Sequence, residues 1–223
     1  MTLPAAVLFD MDGLLVDTEP VWTVAEVELA RQLGGEFTPD LKAAIVGTRL
    51  EVAVPTILDW YGGLSDDATV ARTMAWLLDR MVELFAEPPV VLPGVLELLE
   101  ALSEAGVPVA LVSSSYRVLV DAVLAHGIGR FALTLSGDEV THGKPHPEPY
   151  LTAAARLGVD PTRCVVLEDS PAGVASAEEA GCAVVAVPSV HGVGFEGTAR
   201  RLVVPSLADV TVADLGALLE IAA

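Results

Sequence analysis

A chain of 223 residues is long for one ordinary domain and short for two full ones, which fits a main domain carrying a large insert. Its 12 basic and 31 acidic side chains leave a net charge of −19, which works against nonspecific affinity for nucleic acid or an anionic membrane surface. Cys164 and Cys182 lie outside any CxxC spacing and suggest neither a disulfide framework nor a zinc site.

No segment reaches the roughly 18 uninterrupted apolar residues of a spanning helix, and the apolar start lacks a basic leader. The expectation is a cytoplasmic monomer with no nucleic-acid or membrane partner.

The first predicted strand, "AAVLFDM" from Ala5, runs into Asp10 and Asp12 and then Gly13. The segment from Leu14 to Leu92 has helical periodicity and no convincing strand. Its predicted helices span about Pro20 to Leu33, Pro39 to Ile45, Leu50 to Tyr61 and Asp66 to Phe85, broken at "LGGEF", "VGTR" and "YGGLS". Four more apolar runs follow: "VPVALVS" from Val107, "FALTLSG" from Phe131, "CVVLED" from Cys164 and "CAVVAVP" from Cys182. Alternating with helical patterns, they predict a parallel sheet covered on both faces, a doubly wound α/β core. The expected domains are therefore a core over residues 1–13 and 93–223 and a helical cap over 14–92, with "AEPPVVLPG" as the return linker.

Three predicted strands end in polar groups: Asp10 and Asp12, Ser113, and Glu168 with Asp169. In open α/β sheets ligands bind beyond the carboxyl ends of the strands, so these side chains converge. Residues i and i+2 of a strand point the same way about 6–7 Å apart, leaving room for one reacting atom between Asp10 and Asp12. Like charges a few ångströms apart repel by about 1 kcal/mol in water and about 4 at an effective dielectric of 20. A third carboxylate makes a cation necessary, and a hard dication with oxygen ligands, Mg²⁺, answers this. Lys144 in "HGKPHPEPY" follows a predicted strand and supplies a fixed positive charge, although its spacing equally suits an ordinary surface lysine. Carboxylates, metal, lysine and serine suit phosphoryl transfer, with Asp10 attacking phosphorus and Asp12 protonating the leaving oxygen.

"FDMDG", "LVSSS", "GKPHPEPY" and "VLEDSPAGVASAEEAG", in that order, resemble the four motifs of the haloacid dehalogenase superfamily, in the helical-cap branch with β-phosphoglucomutase and sugar-phosphate phosphatases. The resemblance covers nearly the whole chain. It implies an aspartyl-phosphate on Asp10 and an acid, then base, at Asp12. It implies Mg²⁺ held by the Asp10 carboxylate, the Asp12 carbonyl and Asp169, with Glu168 supporting directly or through water. Ser113, the Ser114 amide and Lys144 would bind phosphate. Gly13 leaves the backbone free to turn beneath it, whereas Ser170 and Pro171 read as helix N-cap and first-turn residue.

Asp12 argues against the metal-free dehalogenases of the superfamily, which lack it. Phosphonate-cleaving relatives use a cap lysine, and the cap's one lysine is Lys42. The gating histidine of the mutases aligns with Trp22 and their phosphate-gripping lysine with Ala75, with Arg72 and Arg80 near in sequence. This favours hydrolysis of a small phosphorylated metabolite, a sugar or sugar-alcohol phosphate, over the mutase, with a noncatalytic binding module as the remaining rival. Arg49 in the "GTR" turn, Trp22 and Ser115 are the specificity candidates. "GVGFEG", residues 192–197, satisfies GxGxxG without room for the helix a dinucleotide needs, and Pro145 breaks the i,i+4 relation of His142 and His146.

Overall fold

The computed structural model describes residues 2–46, 48–189 and 194–220. The chain divides into two compact units, Met1–Asp17 with Pro89–Ala223, and Thr18–Pro88.

The larger unit is built on a parallel sheet. Its strands are β1 (Ala6–Phe9), β4 (Val109–Val112), β5 (Leu133–Leu135), β6 (Cys164–Glu168), β7 (Ala183–Ala186) and β8 (Arg201–Val203), in the order β5-β4-β1-β6-β7-β8. Val7 of β1 pairs with Val109 on one side and Val165 on the other. The chain steps outward from β1 to β4 and β5, then returns to β6 on the other side of β1. The carboxyl end of β1 therefore lies at the topological switch point. Both faces of β1 are fully buried, which explains its continuous apolar run.

Helices α5 (Val95–Glu104), α6 (Arg117–Leu124), α7 (Glu148–Leu157), α8 (Pro171–Glu179) and α9 (Val212–Glu220) belong to this unit. Ala6, Leu8, Ala110, Val112, Val166 and Val184 share one apolar cluster with Tyr150, Ala153 and Ala154 of α7 and with Val174 and Ala177 of α8. Alternate strand residues supply that cluster, as the two-residue period of a strand requires.

The sheet has a sixth strand beyond the five expected. Only three residues long and half-buried at an edge, β8 lacks the long apolar run by which its neighbours are recognised. Two further strands, β2 (Val16–Asp17) and β3 (Val90–Val91), pair antiparallel just inside the two chain crossings. Two residues are too few for any periodicity. This small ladder counts with the larger unit, so the compact helical unit runs from 18 to 88 where the sequence suggested 14 to 92.

The smaller unit contains α1 (Glu19–Gln32), α2 (Pro39–Ile45), α3 (Leu50–Trp60) and α4 (Asp67–Leu84). Thr38 caps α2 by accepting from the Leu41 amide at 3.2 Å, with Pro39 opening the helix. Asp66 caps α4 through the Thr69 amide at 3.0 Å. Arg80 of α4 grips Glu28 of α1 in a two-point bond at 2.6 and 2.8 Å. Lys42 of α2 reaches Glu26 at 2.6 Å and Glu19 at 2.5 Å on α1.

Candidate active site

The sheet sets the site. Asp10 follows β1, Ser113 follows β4 and Glu168 ends β6, three neighbouring strands whose carboxyl ends coincide. The Asp10 amide donates to Leu167 O at 3.0 Å, which extends the β1–β6 ladder one residue into the site.

One buried ammonium organises the charges. Lys144 Nζ donates to Asp10 Oδ1 at 2.5 Å, Glu168 Oε1 at 2.7 Å and the Val112 carbonyl at 2.9 Å. These account for all three of its protons. Burial pushes the lysine toward neutrality, but Asp10 and Glu168 outweigh it and leave the ammonium more strongly basic than usual. Lys144 is thus not the ordinary surface lysine that its spacing also allowed.

Asp10, Glu168 and Asp169 are all buried, and each offers an oxygen within 4.8 Å of the others. Burial raises the Asp10 pKa well above the usual carboxylate range. Lys144 opposes the shift, while Glu168, Asp169 and Asp12 reinforce it. Burial and then Glu168 lift Asp169 to about 7, against bonding from Ser189 and attraction to Lys144. With all three carboxylates ionised beside the one ammonium, two negative charges would stand in excess, the amount a divalent cation cancels. The donors are all oxygens, which fits a hard ion.

Glu168 has a distinct place in this cluster. Its Oε1 accepts from Lys144 and from the Tyr150 hydroxyl at 2.7 Å. Its Oε2 accepts from the Asp169 and Ser170 amides and the Ser170 hydroxyl at 3.1–3.2 Å. Both oxygens of Glu168 are thus engaged by protein donors, which ties Lys144, Tyr150 and the start of α8 to one carboxylate. Ser170 also caps α8 through the Gly173 amide at 3.0 Å, the structural part its sequence context suggested.

The Asp12 carboxylate stands apart from the cluster of three. Its Oδ2 accepts from Ser113 Oγ at 3.1 Å and Ser115 Oγ at 2.9 Å, and the Ser115 amide donates to Ser113 Oγ at 2.9 Å. Ser115, a specificity candidate by sequence, has its hydroxyl bonded to Asp12 because the turn after β4 folds back on the β1 loop. Ser114 is exposed at the same turn.

Two glycines make room. A Cβ at Gly13 (φ +84°) would stand 2.3 Å from Asp169 Oδ2, and one at Gly173 would fall 1.8 Å from Glu168 Oε1. Gly13 therefore meets both a left-handed backbone and a close carboxylate.

Sequence reasoning missed Tyr150, Gly173 and Ser189, whose hydroxyl donates to Asp169 Oδ2. Tyr150 and Gly173 sat inside quoted motifs without a role. Ser189 follows an apolar strand and carried no local signal.

The remaining candidates lie in the helical unit. Trp22 is half-buried on α1, and Arg49 precedes α3 with Glu51 at 3.5 Å. Gly47 of the "GTR" turn is outside the described residues, as are Gly192 and Val193 of "GVGFEG" and His191. Lys42, held by two carboxylates, is poorly disposed to Schiff-base chemistry. Arg80 is committed to Glu28 and Glu83, and Arg72 bonds Thr69.

Residues 4–181 match the family model of the haloacid dehalogenase-like hydrolases. Hexitol phosphatase B of Escherichia coli (strain K12) is 36% identical over 196 residues, covering 82% of this chain and 83% of that protein. Protein CbbY of Rhodobacter capsulatus is 33% identical over 211 residues, 91% of this chain and 93% of that one. Among solved structures, CbbY from Rhodobacter sphaeroides in complex with phosphate has a TM-score of 0.81 at 27% identity, covering 93% of this chain and 96% of that chain.

Proposed function

Because the chain belongs to the haloacid dehalogenase-like hydrolases, we propose that it is a phosphatase that hydrolyses a small phosphorylated metabolite through an aspartyl-phosphate on Asp10. The observation that carries this reading is the pairing of Asp10, fixed at Oδ1 by Lys144, with a separately oriented Asp12 held by two serine hydroxyls.

Lys144 holds one oxygen of Asp10, and Oδ2 is the atom assigned to attack. As the Asp10–phosphorus bond forms, the bond to the leaving alcohol breaks and Asp12 gives that oxygen a proton. Asp12, now a carboxylate, takes a proton from a water that attacks the same phosphorus. The Asp10–phosphorus bond breaks, inorganic phosphate leaves and Asp10 is regenerated. Ser113 and the Ser114 amide are assigned to the phosphoryl oxygens, which requires the Ser113 hydroxyl to rotate from Asp12 toward the substrate.

Mg²⁺ is the cofactor the donor set suits; Asp10, Asp169 and the Asp12 carbonyl would hold it, and it would neutralise phosphoryl charge. Glu168 and Lys144 keep those groups in place.

The substrate class assigned is a sugar or sugar-alcohol phosphate, supported by the relation to Hexitol phosphatase B. Helical unit 18–88 is assigned the part of a cap, with Arg49 and Trp22 as specificity residues. No helix among the described residues is long and apolar enough to cross a membrane. A monomer acting in the cytoplasm is the working assignment.

The test is a panel of sugar and sugar-alcohol phosphates with Mg²⁺, run on wild type and Asp10→Asn. Wild type is expected to release inorganic phosphate, and Asp10→Asn to fall to background; equal rates sink the proposal. With β-glucose 1-phosphate and glucose 1,6-bisphosphate, conversion to glucose 6-phosphate without phosphate release would assign a mutase instead.

A further inference from the structure

The loop that carries Lys144 holds a second group of ligating side chains that this chemistry does not use. His142, His146 and Glu148 each offer one donor atom, and the three atoms lie within 4.8 Å of one another. The two imidazole rings stack with centroids 4.5 Å apart at 30°. Both histidines are exposed, so an ion has access from solvent.

The group is braced from several sides. Glu148 Oε1 accepts from the Thr141 amide at 2.7 Å, and Oε2 faces the His142 amide at 2.9 Å and His142 Nδ1 at 2.8 Å. The Glu148 amide donates to His146 Nδ1 at 3.2 Å, which leaves Nε2 as the donor atom of that ring. The His146 carbonyl is fixed by Ser176 Oγ at 2.7 Å. Between the histidines, the buried Lys144 anchors the loop on Asp10 and Glu168.

Two imidazole nitrogens and one carboxylate oxygen suit a borderline-soft ion far better than Mg²⁺. Ligand atoms around tetrahedral zinc stand about 3.4 Å apart, and donor atoms already within 4.8 Å of one another can close to that spacing by rotation of the exposed histidine side chains.

We propose that His142, His146 and Glu148 form a site for a Zn²⁺-class transition-metal ion, separate from the acidic cluster, with water completing its coordination. The ion clamps the loop from which Lys144 enters the interior. The proposal does not depend on which phosphate ester the enzyme cleaves.

The test is calorimetric titration of the full chain with Zn²⁺ in excess Mg²⁺, so that the acidic cluster is already occupied. One Zn²⁺ per chain is expected. His142→Ala and His146→Ala are each expected to weaken it by about tenfold or more, and Asp169→Asn to leave it intact. Co²⁺ in place of Zn²⁺ is expected to show visible bands that His146→Ala abolishes. Saturating Zn²⁺ should also raise the wild-type Tm by about 5 °C but not that of a variant combining His142→Ala and His146→Ala. His146→Gln, with metal-free Tm and circular dichroism as controls for folding, guards against misreading a structural loss. No Zn²⁺ binding in excess Mg²⁺ would overturn the proposal. So would binding that survives in folded histidine variants, or that disappears in Asp169→Asn alone.

Discussion

Tyr150 donates its hydroxyl to Glu168 Oε1 at 2.7 Å in a place where both residues are wholly buried. The tyrosine comes from α7 and the glutamate from the end of β6, so this bond ties a helix on one face of the sheet to the acidic cluster at its edge. Burial and the nearby carboxylates hold the phenol well above its usual pKa, which keeps it a donor. Tyr150→Phe keeps the ring and removes one support of Glu168. A loss of about 1–3 kcal/mol in denaturant unfolding is expected, with a reduced kcat and little change in KM. Unchanged stability would mean that water replaces the bond without cost.

Lys144→Met leaves Asp10 and Glu168 without their shared cation in an interior where Lys144 is 4% exposed. The expected loss is about 3–5 kcal/mol of stability together with a hundredfold or greater fall, roughly, in kcat. Urea melts and steady-state kinetics check both. Lys144→Arg should not restore activity, because a forked guanidinium cannot reproduce three bonds made by one nitrogen.

Gly173→Ala separates packing from helix propensity. Alanine is the better helix former by about 1 kcal/mol, yet its Cβ would sit 1.8 Å from Glu168 Oε1. The clash is expected to dominate, with a net loss of about 1–3 kcal/mol in thermal unfolding and lower activity. A stabilised, fully active variant would show that the carboxylate can step aside.

Glu139 gives a pH signature outside the acidic cluster. Burial pushes its carboxyl up, but Arg117, the Ser136 amide and hydroxyl, and Arg156 outweigh it and hold the pKa at about 2, below the ordinary 4.5. A folded-state value below the unfolded one adds stability that is complete above about 4.5 and is lost as the pH falls toward 2. Glu139→Gln is expected to cost about 1 kcal/mol at neutral pH, since the group is partly exposed, and to flatten the acid limb of a Tm-versus-pH curve. The same contacts join the turn after β5 to Arg117, two residues beyond Ser115, so phosphate affinity should weaken with it.

Removal of divalent ions by EDTA is expected to stop turnover, and added Mg²⁺ to restore it, with the far-UV circular dichroism unchanged. The sheet and its helices carry the fold, so unfolding on chelation would assign the metal a structural part instead.

Four of the five strands recognised from sequence are buried along their whole length, where the apolar run is continuous: "AVLF", "VALV", "CVVLE" and "AVVA"; the fifth, β5, is a half-buried edge strand marked by the apolar residues around it. The edge strand β8 and the β2–β3 ladder escaped because each is too short and too exposed to leave a pattern. The four helices of the smaller unit were legible from their terminal capping residues and breaks, which act within a few residues.

By itself the sequence determined which groups could do chemistry: Asp10, Asp12, Ser113, Lys144, Glu168 and Asp169 are marked by strand ends and motif spacing, both local properties. Only the tertiary structure decided how they are bonded. That Lys144 spends its protons on Asp10, Glu168 and Val112, that Ser115 serves Asp12, and that Tyr150, Ser189 and Gly173 complete the surround all depend on pairs far apart in the chain. Hydrophobic periodicity specifies the face and ends of each element. Which side chains meet across those ends follows from strand order and register, and no stretch of sequence records that alone.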